Sequence, residues 1–131
     1  MVIFQDEVIE SRGWDHIVSC LGRDGILSKA AITVLYELLQ ERSGWNMSVC
    51  RKLSQQSNSV LYLVTILKGT VQESAEMAEK ILVKLLEVDE ENYSRAAKAG
   101  WLEPLIKCIV QGKRICTLKL TLYAFFSNLQ K

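Results

Sequence analysis

One proline and one histidine in 131 residues set the first bounds on this chain. With so little proline, the sequence holds no proline-rich linker and little that would break a helix. Alternating runs rich in Val, Thr and Tyr are missing while leucine is abundant, which favours helices over sheets. Lys+Arg 16 against Asp+Glu 15 leaves +1, so no global field draws the chain to nucleic acid or to an acidic membrane surface. Apolar residues make up 49%, too many for an intrinsically disordered chain. The longest apolar run, Val60 to Leu67, is far short of the roughly 18 residues that span a bilayer, so no membrane insertion is expected. The N-terminus turns acidic at Asp6-Glu7, too early for a secretion signal. Cys20, Cys50, Cys108 and Cys116 are widely spaced, with no CxxC or Cys/His cluster, and do not form a disulfide framework. These absences predict a soluble, reduced, intracellular protein, cytoplasmic or nuclear.

What is present is a repeat. An aliphatic pair followed three residues on by another apolar residue occurs at Ile17-Val18…Leu21, Leu63-Val64…Leu67 and Leu105-Ile106…Ile109, at spacings of 46 and 42 residues. Each is followed by a longer amphipathic segment: Ala31…Leu35…Leu38, Ala78…Leu82…Leu85 and Leu122…Phe126…Leu129, spaced 47 and 44. Apolar residues at i, i+4 and i+7 share one face of a helix, so each long segment is expected to bury one stripe. A shorter helical candidate precedes each pair, at Val2 to Glu10, Met47 to Gln55 and Glu90 to Ala99. The single domain 1–131 thus parses into units of short, medium and long helix at about 1–43, 44–88 and 89–131. Glycines 13, 22, 25, 44, 69, 100 and 112 fall near the joints. Pro104 fits the first turn of a helix opened at Trp101 or Leu102, and Ser28 and Ser74 are candidate N-terminal positions. One such unit of about 43 residues has too little interior to shield its own stripe, so the units must stack. The predicted fold is all-α, an α-solenoid of about three repeats, with a period that fits armadillo or HEAT units.

Between those two, Ala99-Gly100-Trp101-Leu102-Glu103-Pro104-Leu105-Ile106 resembles the armadillo joint between first and second helices, and Ser127-Asn128-Leu129 resembles the end of an armadillo third helix. Closer still, Ser43 to Trp101 resembles the armadillo region of plant U-box ubiquitin ligases. The residues that carry this likeness are Val49 to Gln56, Ala78 to Leu82 and Ser94 to Trp101. In that family the U-box recruits a charged ubiquitin-conjugating enzyme and the repeats bind substrates or regulators. Nothing in this chain resembles a U-box, so the resemblance implies a non-catalytic recognition module, with ligase activity belonging to another part of a longer protein. No cofactor and no catalytic or metal site is expected.

In an armadillo stack the third helices line a concave groove that takes a protein or peptide segment. Aligning Leu35, Leu82 and Phe126 places Glu37, Lys84 and Asn128 at equivalent positions, with Thr33, Lys80 and Ala124 one turn earlier. Importin-α-like armadillo proteins carry Asn and Trp at these positions. Only Asn128 fits that pattern, so binding of a nuclear localisation peptide is not expected. The groove candidates are Thr33, Glu37, Lys80, Lys84, Thr121 and Asn128, a mixed-charge row in which Lys80 and Lys84 suit an acidic partner segment. The same residues also fit the solvated faces of amphipathic helices.

Gly13-Trp14 and Gly100-Trp101 lie 87 residues apart, two repeat lengths, so both tryptophans are expected to plug the same joint. His16 precedes Cys20 by one helical turn, but Cys20 aligns with Ile66 and Cys108, positions expected to be apolar. The acidic run Glu87-Val88-Asp89-Glu90-Glu91 lacks the spacing of a calcium loop and suits the start of a helix. Arg51, Lys52, Lys113 and Arg114 are too scattered to form a nucleic-acid stripe. Without polar caps, an apolar face is expected at each end: Phe4, Val8 and Ile9 at one, Leu118, Leu122 and Phe125 at the other. Such faces suit a self-associating scaffold, for instance a homodimer.

Overall fold

Helical spacing of apolar residues is realised along the chain. The computed structural model describes residues 12–23, 25–41, 44–56, 58–112 and 115–129. Among these are eight helices and one short ladder: α1 (Arg12–Leu21), α2 (Ile26–Leu38), β1 (Gln40–Glu41), β2 (Gly44–Trp45), α3 (Met47–Ser54), α4 (Ser59–Leu67), α5 (Gln72–Val88), α6 (Glu91–Ala99), α7 (Leu102–Val110) and α8 (Ile115–Leu129). The protein is all-helical. The antiparallel β1–β2 pair, with Gln40 opposite Trp45, serves as the turn between α2 and α3 rather than as a sheet layer. No helix among the described residues is long and apolar enough to cross a membrane. The helix expected at Val2 to Glu10, with Phe4, Val8 and Ile9, lies outside the described residues, as do Lys113, Arg114 and the side chains of Leu118 and Leu129.

Local chemistry sets the joints. The Asn46 side chain accepts from the Val49 N–H at 3.3 Å and opens α3. Gly100 closes α6 at φ 94°, in the left-handed region that glycine enters freely, and the Trp101 N–H turns back to the Ala96 carbonyl at 3.1 Å. Pro104 sits in the first turn of α7, where its missing N–H breaks no helical bond. At Gly22 the chain turns over the Tyr62 ring so closely that a Cβ would stand 2.7 Å from its Cε1. Ser28 and Ser74 fall in the first turns of α2 and α5 without capping them, for the cap residues are Gly25 and Val71.

Helices pack chiefly with their neighbours: α1 with α2, α4 with α5, and α7 with α8. α3 lies on α5 and α6 on α8. Between the pairs, α1 meets α4, α2 meets α5, and α4 meets α6. One apolar cluster runs through these contacts, from Trp14 and Leu35 through Leu63 and Leu82 to Trp101 and Phe125. Trp14 and Trp101 are both buried, as their shared offset from a joint predicts.

The register of α8 departs from the sequence reading. Phe126, expected in the buried stripe, is 48% exposed, whereas Phe125 is fully buried and Thr121 is buried one turn before it. Trp101 and Tyr93 decide this: the Phe125 ring meets them edge to face at centroid distances of 5.4 Å and 5.1 Å. One residue is about 100° of helix rotation, so choosing Phe125 turns Phe126 to solvent. Phe125 is therefore core and not part of an apolar end face. Leu122 is half-buried; among the described side chains of α7 and α8, Ile106, Val110, Tyr123 and Phe126 are exposed large apolar residues.

Candidate functional site

On α2, Thr33 and Glu37 are one turn apart and exposed, and the Thr33 hydroxyl donates to its own helix at Lys29 O, 2.9 Å. On the adjoining α5, Lys80 is exposed and Lys84 half-buried, again one turn apart. Lys80 Nζ stands 6.0 Å from the Tyr36 ring centroid and Lys84 Nζ 6.0 Å from that of Trp45. Those two rings meet edge to face at 5.7 Å. The packing of α2 on α5 thus sets two ammonium groups, those of Lys80 and Lys84, over an aromatic pair, while Thr33 and Glu37 are exposed on α2. Each cation–π contact is worth about 0.5–1 kcal/mol at a surface site. Lys84 also lies 3.5 Å from Glu87 Oε2, a solvent-accessible pair of little energetic weight. Lys80 makes no ion pair among the described residues.

Thr121 and Asn128 do not extend this row. Thr121 is buried, a consequence of the α8 register. Asn128 is half-buried, and its Nδ2 donates to Ala124 O of its own helix at 2.9 Å. With Phe125 aligned to Leu35 and Leu82, the α8 positions matching Lys80 and Lys84 become Tyr123 and Ser127, both exposed. Neither these nor the Tyr36–Trp45 pair is evident from periodicity, because Trp45 reaches the face only through the β1–β2 turn.

Cys50 lies in the core near Lys84 and Glu87. Burial pushes its thiol up to about 11, opposed by Lys84 and reinforced by Glu87. The thiol is therefore protonated at neutral pH. Because its folded pKa is raised, the unfolded chain loses the proton first, so stability present below about pH 9 is lost as pH rises to about 11. About 2–3 kcal/mol is expected to disappear across that window. Cys50→Ala should flatten the slope in urea titrations run from pH 8 to pH 11. An unchanged slope in that variant would refute the assignment.

The acidic run begins α6. Asp89 Oδ1 accepts from the Glu91 N–H at 3.0 Å, and the Arg95 guanidinium reaches Asp89 Oδ2 (3.4 Å), Glu91 Oε2 (2.9 Å) and Asn92 Oδ1 (2.8 Å). Asn92, which sequence reasoning passed over, is fully buried. Its Nδ2 donates to Ser54 Oγ at 2.8 Å and to Leu85 O at 2.6 Å, joining α3, α5 and α6. His16 and Cys20 line a shallow apolar depression with Leu27 and Val34 between α1 and α2.

Comparison with protein-family models, with curated proteins and with solved structures finds no match to this chain.

Proposed function

We propose that this chain is a non-catalytic protein-interaction module, a short α-solenoid of armadillo-type units that holds an acidic partner segment along the α2–α5 face. The observation that carries this reading is the placement of Lys80 and Lys84 over the Tyr36–Trp45 pair. Aromatic faces shelter the aliphatic stems of lysines, and a carboxylate meeting such an ammonium forms a charge-assisted bond. Glu37, exposed and next in sequence to Tyr36, favours a segment that also carries a basic residue. Support for the stacked units comes from helix order. Two shorter helices precede a long one in α3–α4–α5 (8, 9 and 17 residues) and again in α6–α7–α8 (9, 9 and 15). The α1–α2 pair packs on α4–α5 as a preceding unit would. The unit boundary at 88/89 falls at the end of α5, and the second unit starts at β2. The likeness to plant U-box ligases makes this the recognition part of such a protein, with ubiquitin transfer carried elsewhere.

An array of extended peptides graded in charge tests the reading. Acidic peptides are expected to bind best, and Lys80→Glu with Lys84→Glu to weaken them by tenfold or more, at about 1–3 kcal/mol per charge-assisted bond. The melting temperature should hold, since neither lysine belongs to the core. Equal binding by the double variant, or no preference for acidic peptides, rules the placement out.

A further inference from the structure

Matching helix positions change exposure with their place along the chain. Val34 of α2 and Ile81 of α5 stand 47 residues apart at equivalent points, yet Ile81 is fully buried and Val34 is 44% exposed. Leu27 and Ser74 repeat the contrast: Ser74 is buried and Leu27 exposed. Neighbours account for it. α5 has α2 of the preceding unit against it as well as α3 and α4, whereas α1 and α2 are the first helices among the described residues.

At the far end the pattern reverses. Val18, Val64 and Ile106 match across α1, α4 and α7 at spacings of 46 and 42. Val18 and Val64 are buried, with α4 against α1 and α6 against α4. Ile106, in the last unit, is 44% exposed, and Val110 one turn on is 81% exposed. With Phe125 set against Leu82, Phe126 matches Tyr36 and Val83, which are half-buried, and it too is open. Both ends are therefore apolar. At the leading end, the depression containing Ile17, Cys20, Leu27 and Val34 measures about 220 Å³ and is lined by no Asp, Glu, Lys or Arg. At the trailing end, one of about 480 Å³ is lined by Ile106 and Val110 together with Glu103 and Lys107. Terminal units of a stack normally turn a polar surface outward; these present aliphatic side chains that an adjoining unit would bury.

We infer that a second copy of this chain covers each face: the α1–α2 end of one molecule docks on the α7–α8 end of the next. That contact continues between molecules the junction that α1–α2 makes with α4–α5 inside one. The two faces are different surfaces, so the pairing is head to tail and extends beyond a dimer. The inference rests on the stacking of units proposed above and not on the acidic-segment face.

Sedimentation velocity of the whole chain from about 10 µM to about 1 mM tests this. Average mass should rise with concentration and pass that of a dimer. Leu27→Asp with Val34→Asp, and separately Ile106→Asp with Val110→Asp, should each weaken association by about tenfold or more, since docking would bury a carboxylate without a partner. Val110→Asp alone, at a side chain with little to lose on folding, repeats the trailing-end test without touching the core. An equimolar mixture of the two double variants should form a 1:1 complex and stop there, because one supplies an intact trailing end and the other an intact leading end. Lys80→Glu with Lys84→Glu should leave association unchanged, and the Ile106/Val110 variant should still bind acidic peptides, so failure of either site reads separately. A wild-type mass fixed at one chain overturns the inference, whether residues 2–10 or solvent covers the leading face. A mass that levels at two chains, undiminished association in either double variant, or a mixture of folded variants that stays monomeric overturns it as well.

Discussion

Phe125→Ala is expected to remove about 3–5 kcal/mol of stability, while Phe126→Ala, one residue later, removes less than about 1 kcal/mol. Phe125 is fully buried and touches Tyr93 and Trp101 edge to face, so truncation empties a space walled by two large rings from α6 and the α6–α7 joint. Rings of that size do not close a gap by small shifts, which places the cost at the upper end for a core aromatic. Phe126, about half exposed, has far less apolar surface to lose. Urea unfolding of the two variants reads the difference directly. If Phe126→Ala costs as much as Phe125→Ala, α8 is turned by one residue from the arrangement described here, and Tyr123 and Ser127 no longer match Lys80 and Lys84.

Asn92→Ala is expected to cost about 2–4 kcal/mol, large for a polar residue. Its amide donates to Ser54 Oγ and to Leu85 O, and its oxygen accepts from Arg95. Alanine strands the Leu85 carbonyl in a dry interior and leaves the Arg95 guanidinium with its two carboxylates alone. Ser54→Ala serves as the control: it removes one hydroxyl together with its need for a partner, so a loss near 1 kcal/mol is expected. Denaturant midpoints for both variants and the double mutant measure the coupling. If Asn92→Ala is no more costly than Ser54→Ala, the three-helix polar link does not bear on stability.

Much of the helical plan is legible in the residues themselves. Leu35, Leu38, Leu82 and Leu85 keep helical spacing among polar neighbours, and all four are buried. Trp14 and Trp101, each following a glycine, are both buried as expected. The α8 register was not legible, since Leu122, Tyr123, Phe125 and Phe126 offer apolar residues on two faces. Tyr93 and Trp101, more than twenty residues earlier, choose between them. At the candidate site, Thr33, Glu37, Lys80 and Lys84 are picked out by the repeat alignment together with the armadillo resemblance, which supplies the groove. Tyr36 and Trp45 are not, because their meeting depends on a turn that folds Trp45 back toward α2. Asn92 within Glu91-Asn92-Tyr93-Ser94 carries no sequence signal that singles it out. Its burial comes from α3 and α5 closing over it, which no local pattern announces.

The glycine seated on Tyr62 gives the seam between the first two helical pairs its own spectroscopic signature. Its α-protons occupy the magnetic field of that ring, so their resonances are displaced by the ring current while α1 and α4 remain docked. Undocking would return them to ordinary glycine positions, a label-free gauge of contact between α1 and α4.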